Sequence, residues 1–326
     1  MNPNIRKKRL STLRAATLWC VIASLAFAVM FPQPTHAASS NNGVEEPDCS
    51  SLAQAQVITS PLLSVLTLNL AHGRKDAFNQ MFQRSETTRR NLEEIAEFLN
   101  DSGADLVALQ EADAPSRWSG KFDHVEYVSK RSVYPCRLHA SHAQKYLYDF
   151  GTALLSRTPF TGSLAHTFAP SPPTTSKGFV MGKVLWNPGG ELPQPIIVSV
   201  SSVHLDFSRK KVREAQIEEM NTKLQHITTP LVIMGDFNAD WDDENSALKA
   251  IVSKGKLKVY KPEATGLGTY KSGSQRLDWI LVSNDLHFVD YDVPQVSLSD
   301  HQPVRATLRL VDLLAKETDS KPSIQP

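Results

Sequence analysis

Five apolar runs of strand length in this chain each lead into a polar residue suited to binding an oxyanion or a cation. Ser64–Leu68 leads into Asn69, and Asp105–Gln110 leads into Glu111. Val198–Val203 leads into His204, and Val232–Gly235 leads into Asp236 and Asn238. The fifth, Arg276–Val282, carries Asp278 and is followed by a segment holding Asp300 and His301. Singly, each has an ordinary explanation: Asn or Glu after a strand caps the next helix, and a lone His is a structural hydrogen-bonder. That explanation fits five such strand ends poorly. Helical periodicity fills the intervals. Residues 85–102 place Leu92, Ile95, Ala96 and Leu99 on one face, with Gly103 beyond the end, and residues 211–226 do the same with Ile217, Met220 and Leu224.

The most informative run is Val232-Ile233-Met234-Gly235-Asp236-Phe237-Asn238. It reads as a buried strand delivering Asp236 and Asn238 to its C-terminal lip. Side chains two apart on extended backbone point the same way, so the pair could address one hard cation or phosphoryl group. A turn that favours Asp and Asn for its own geometry reads equally well from this segment alone.

The N-terminus reads as an export signal. Arg6, Lys7, Lys8, Arg9 and Arg14 precede an apolar stretch from Ala15 to Phe31, and Thr35-His36-Ala37 offers small residues for cleavage near Ala37. The apolar stretch is short for a membrane span, which needs roughly 20 residues. The expected product is periplasmic or secreted. The whole chain has 35 basic and 34 acidic residues. The leader holds five of the basic ones and no acidic one, so the remainder carries 30 against 34. A dedicated grip on polyanions usually shows a basic excess, and none is present globally. Cys49 and Cys136 remain after the leader; they permit one disulfide in an exported chain, and two free thiols are nearly as compatible. Residues 38–56 read as an exposed arm, 57–311 as one body and 312–326 as a fraying tail.

The ordered blocks LTLNLAHG, LVALQEAD, FGTALLSR, SSVHLDF, MGDFNAD, RLDWILVS and SDHQPV resemble the endonuclease/exonuclease/phosphatase superfamily, across Asn69 to Val304. The resemblance implies an α+β fold, a four-layer α/β/β/α sandwich of two facing mixed sheets with outer helices. It implies phosphoester hydrolysis with Mg²⁺, for which Mn²⁺ could substitute. Glu111 would be the metal ligand, with Asn69 either a neutral ligand beside it or a support for the carboxylate. Asp236 and Asn238 would orient water and contact phosphate. Asp278 would pair with His301, Asp300 would be a metal-side or phosphate-side carboxylate, and His204 would donate to the phosphate or assist the leaving group. Which histidine is acid and which base stays open.

Weaker expectations concern neighbouring residues. Arg74 is expected to be solvated and His72 to be a loop residue. Asp206 could face the site or serve a turn. Asp149 takes the register where nucleases of the superfamily carry a tyrosine, leaving Tyr148 one position off. Trp118 is expected to pack beneath a loop. The expected substrate is a phosphodiester of nucleic acid or phospholipid, with no obligate protein partner and a monomeric chain. A silent binding module would have lost one of Glu111, Asp236, Asn238, Asp300 or His301, and all are present.

Overall fold

The computed structural model describes residues 43–47, 49, 51, 53, 55–77, 83–189, 194–243, 246–270 and 273–311. The leader expected at 1–37 and the tail expected at 312–326 lie outside them. Among the described residues no helix is long and apolar enough to cross a membrane.

The first sheet contains β1 (Val44–Glu45), β3 (Leu63–Asn69), β4 (Leu106–Asp113), β5 (Cys136–Gln144), β6 (Asp149–Ser156), β13 (Leu286–Asp292) and β14 (Val304–Leu310). Its order is β1-β5-β6-β4-β3-β14-β13. The second contains β2 (Ile58–Thr59), β7 (Gly162–Thr167), β8 (Gly178–Asn187), β9 (Ile196–His204), β10 (Leu231–Asp236), β11 (Leu257–Val259) and β12 (Asp278–Ser283). It runs β11-β12-β10-β9-β8-β2, with β7 paired to β8. Both sheets are mixed: β3–β4 and β9–β10 are parallel while most other pairs are antiparallel.

Alternation along the strands builds three apolar layers. Val65, Leu106, Val200, Val232, Met234, Ile280 and Val282 face inward and form the core between the sheets. The opposite face of the first sheet, through Leu66, Leu68, Val107 and Leu109, buries Leu92, Ile95 and Leu99 of α1 (Ser85–Asp101) and Val125 of α2 (His124–Ser129). The opposite face of the second buries Ile217 and Met220 of α3 (Lys210–Leu224) and Leu248 and Ile251 of α4 (Ala247–Gly255). The result is the expected four-layer sandwich, and α1 and α3 fall where periodicity placed them.

The expectation of an exposed arm needs correction. Val44 and Glu45 pair with Ala140 and His139 of β5, and Val44 is buried in the inter-sheet core. A valine whose backbone can complete an edge strand gains both burial and hydrogen bonds there. Cys49 is bonded to Cys136 across 87 residues of sequence, which fastens the segment to β5.

Candidate active site

The inward-facing rows that are apolar in mid-strand turn polar at one end of the sandwich. Val232 and Met234 are followed two residues on by Asp236, Val200 and Ser202 by His204, and Val65 and Thr67 by Asn69. Register then fixes the neighbours. Asp236 lies opposite His204 on β9 and opposite Asp278 on β12, so three adjacent strands present one row of functional groups. Gly235 permits the close approach: a Cβ there would meet the Val203 carbonyl oxygen at 2.0 Å, and its φ is +147°. Beneath the row, Gln110 Nε2 donates to Ser202 Oγ at 2.9 Å, and that hydroxyl donates to the Leu109 carbonyl at 2.8 Å. This polar layer joins the sheets where the apolar core stops.

Asp236 is the hub. Its Oδ2 accepts from Asn69 Nδ2 at 3.0 Å, bridging the two sheets. The same oxygen lies 3.5 Å from His204 Nε2 and 3.9 Å from His301 Nε2. Burial pushes the Asp236 carboxyl up, and the Asp278 carboxylate adds to this while His301 opposes it. His301 Nδ1 meets Asp278 Oδ2 at 2.8 Å, and that oxygen also accepts from Thr269 Oγ1 at 2.6 Å. Burial works against charging His301, but Asp278 and Asp236 outweigh it and raise its pKa. Tyr270 packs against the imidazole at 4.7 Å between ring centres.

Glu111 reaches the site by a different route. It follows Gln110, an inward residue, so strict alternation would point it outward. A register shift between Gln110 and Ala112 and a φ of 47° at Glu111 form a β-bulge that re-aims it. The Glu111 carboxylate then lies 3.3 Å from His72 Nε2, while His72 Nδ1 meets the buried Asp113 Oδ2 at 2.8 Å. Burial would raise the Glu111 pKa, but His72, Lys177 and the two site histidines bring it down to about 2. His72 is held at φ 54° in a short turn (Ala71–Gly73), closed in by Phe150 at 4.8 Å and Trp118 at 6.2 Å between ring centres.

A cleft of about 450 Å³ collects these groups, lined by Glu111, His204, Asp236, Asn238, Asp300 and His301 among others. A model of the endonuclease/exonuclease/phosphatase family matches residues 66–301, which span every one of them. The chain belongs to that family.

Solved structures of the family share its fold. One is an endonuclease/exonuclease/phosphatase from Beutenbergia cavernae, 18% identical, with a TM-score of 0.59 over 76% of this chain and 72% of that one. The Bacteroides thetaiotaomicron mannosyl-6-phosphatase is 18% identical, with a TM-score of 0.55 over 76% and 99%. The human Nocturnin catalytic domain is 18% identical, with a TM-score of 0.56 over 78% and 96%. No curated protein matches the sequence significantly.

Within this family member, the donor set suits a hard divalent cation. Glu111 is held anionic at the cleft wall, and Asp300 adds a second, partly exposed carboxylate. Asn69 is held from both ends of its amide. Its Nδ2 donates to Asp236 and its Oδ1 accepts from Ala71 N at 2.9 Å, so both ends of the amide are engaged within the protein. Asp278 is fully buried and meets the imidazole of His301, with no exposure to the cleft itself.

Three expectations change, and the open one for Asp206 is decided. Asn238 shares the cleft with Asp236 but not by strand alternation. Its φ is 49°, its N–H donates to Asp236 Oδ1 at 2.9 Å, and its Nδ2 donates to the Leu205 carbonyl. A turn and a site therefore coexist in that segment. Arg74 is not a solvated loop residue, since NH2 pairs with Asp300 Oδ2 at 2.5 Å in the cleft wall. His72 is not a bystander either, because it joins Asp113 to Glu111. Asp206 takes the turn role, accepting from the N–H groups of Ser208 and Arg209. Trp118 packs on Tyr148 and Phe150 as expected, and Asp149 pairs with Gln144 outside the cleft lining.

Sequence reasoning missed Lys177. It is 5% exposed, and its ammonium sits 3.4 Å from His204 Nδ1. An ammonium only donates, so His204 accepts on Nδ1 and carries its proton on Nε2, facing Asp236. Burial pulls the Lys177 pKa down, while Glu111, Asp236 and Asp206 oppose this. Burial and Lys177 together hold His204 neutral, its pKa well below the ordinary value. The available signal was position. Lys177 immediately precedes β8, and because β8 runs antiparallel to β9, its first residue lies opposite His204.

Proposed function

We propose that this chain is an exported, Mg²⁺-dependent phosphodiesterase that cleaves nucleic acid by in-line attack of water. The observation that carries the reading is the hub at Asp236, one buried carboxylate oxygen within 4 Å of two imidazoles that share a cleft with Glu111. Asp236, oriented by Asn69 and the Asn238 N–H, accepts the proton of the attacking water. His204 donates through Nε2–H to a phosphate or leaving-group oxygen, with Lys177 fixing that tautomer. His301, held by Asp278, donates to a second phosphate oxygen. Glu111 and Asp300 would hold Mg²⁺, which would supply Lewis-acid stabilisation of the phosphate charge.

Cleft composition favours a polynucleotide over a lipid. Arg213 adds a cation to its wall, beside the Arg74–Asp300 ion pair. Phe207, 63% exposed at its wall, offers a face on which a base can stack.

The test is hydrolysis of plasmid DNA, RNA, sphingomyelin, bis-p-nitrophenyl phosphate and p-nitrophenyl phosphate, with Mg²⁺ and with EDTA. EDTA-sensitive cleavage of DNA or RNA is expected. Cleavage of sphingomyelin alone, or of the monoester alone, would overturn the substrate assignment while leaving the chemistry. No Mg²⁺-dependent cleavage of any of them would overturn the proposed activity itself.

A further inference from the structure

A second group of ligand-type side chains lies outside the catalytic cleft, at the β1 edge of the first sheet. β1 places Glu45 opposite His139 of β5. Asp123, the N-cap of α2, uses Oδ1 to accept from the Glu126 N–H at 2.7 Å. Its Oδ2 is directed to His139 Nδ1 at 3.9 Å. One ligand atom from each of Glu45, Asp123 and His139 lies within 4.8 Å of the other two.

The histidine decides what this cluster can hold. His139 is 3% exposed, and its Nε2 faces the Ala112 carbonyl oxygen at 3.1 Å. A carbonyl only accepts, so Nε2 carries a proton, and the ring turns Nδ1 towards the Asp123 and Glu45 carboxylates. At 3.9 Å from Asp123, Nδ1 is too far for a hydrogen bond. Two carboxylates gathered within 4.8 Å of a buried imidazole nitrogen that has no hydrogen bond of its own make a geometry able to hold a cation. An imidazole whose other N–H is held by a backbone carbonyl is also the usual arrangement of a metal-ligating histidine. Zinc bonds of about 2.0–2.2 Å place tetrahedral ligands roughly 3.4 Å apart. Asp123 and His139 are already near that spacing, and Glu45, half-exposed, can swing in. Arg137 NH2 donates to Glu45 Oε1 at 3.5 Å and lies 3.5 Å from Glu126, offsetting part of the local negative charge, so Glu45 would exchange this contact for the metal.

We propose that Glu45, Asp123 and His139 form a zinc site, distinct from the catalytic cleft, that ties β1 and α2 to β5. Imidazole with carboxylate selects a borderline transition metal over Mg²⁺. The Ala112 carbonyl follows Glu111 directly, so the site would also brace the bulge that presents that residue.

The experiment is calorimetric titration of the protein with ZnCl₂, beside Glu45→Gln and Asp123→Asn. Asparagine is itself a good N-cap, so the second variant keeps α2. The wild type is expected to bind one equivalent more than either variant and to gain about 5 °C in Tm with excess zinc, a gain the variants lose. A zinc-edge anomalous map should show a peak between the three side chains. Equal stoichiometry in all three proteins, or a peak confined to the catalytic cleft, would overturn the proposal.

Discussion

The two sheets deliver their functional groups by opposite means. The second sheet uses regular geometry: His204, Asp236 and Asp278 are the terminal members of inward-facing rows, aligned by unbroken register. The first sheet supplies Asn69 the same way but reaches Glu111 and His72 only through distorted backbone, with positive φ at Ala71, His72 and Glu111. Regular register places groups in a line, which suits the proton-handling hub. Moving a carboxylate off that line to face it takes a bulge, and such strain persists only where surrounding contacts over-determine it. Here the contacts are the His72–Asp113 hydrogen bond and the aromatic wall of Phe150 and Trp118.

Substitutions can break this contrast, beginning with the regular row. Asp236→Asn removes the proton acceptor but keeps a side chain that can accept from Asn69. It is expected to lower kcat by about 10³-fold, roughly 4 kcal/mol of barrier, with Tm unchanged or higher because a buried carboxyl has been neutralised. His301→Ala should lose activity to a similar degree. A change below tenfold in either would remove the hub from the chemistry.

Glu111→Gln tests the distorted side. Activity at low Mg²⁺ should fall about 10²-fold and recover partly as Mg²⁺ rises, since a neutral ligand weakens the cation site without removing the hub. An unaltered Mg²⁺ titration would take Glu111 off the ligand set.

Lys177→Met removes a cation that neither register nor bulge accounts for. We expect about a 30-fold loss in kcat/KM, and a shift of the activity–pH profile as His204 loses its fixed tautomer. Tm should not fall, because methionine fills the space without a buried charge. A fall in Tm with activity intact would make Lys177 structural.

The smallest effect concerns the seam between the sheets. His142 is held between Thr152 of β6 and Thr167 of β7, at 2.9 and 3.0 Å. Burial, with His139 and Lys177 nearby, depresses its pKa to about 3. Between an unfolded value near 6.5 and about 3, the unfolded chain binds a proton that the folded one refuses, so stability is lost as pH falls through that window. His142→Gln should therefore flatten the acid limb of urea-unfolding curves, by about 1 kcal/mol at pH 5.5. Parallel curves for wild type and variant would refute the assignment.

Legibility in the sequence follows the same division. The five strands that carry site residues, together with α1 and α3, were readable because period two and period 3.6 are local and burial reinforces them. Asn69, His204, Asp236, Asp278 and His301 could be picked out because they end those rows or lie in the motif beside them. What escaped depends on long-range contact or backbone sign. The role of His72 comes from Asp113, 41 residues away, and that of Arg74 from Asp300, 226 residues away. Lys177 sits at the start of a strand whose antiparallel pairing is not written locally. Val44 was too short a signal to be read as a strand, and its burial comes from β5.

The Asn69–Asp236 hydrogen bond joins residues 167 positions apart, and the His301 imidazole that completes the hub comes later still. As the chain is synthesised, the segment bearing Glu111 emerges well before Asp236, and His301 is the final member to appear. No partial chain holds a working centre, and cutting between β8 and β10 would leave each piece inert until the two were reunited. Hydrolytic activity is therefore a late reporter of completed folding, and two such pieces regaining it on mixing would show that docking of the sheets is the step that creates the enzyme.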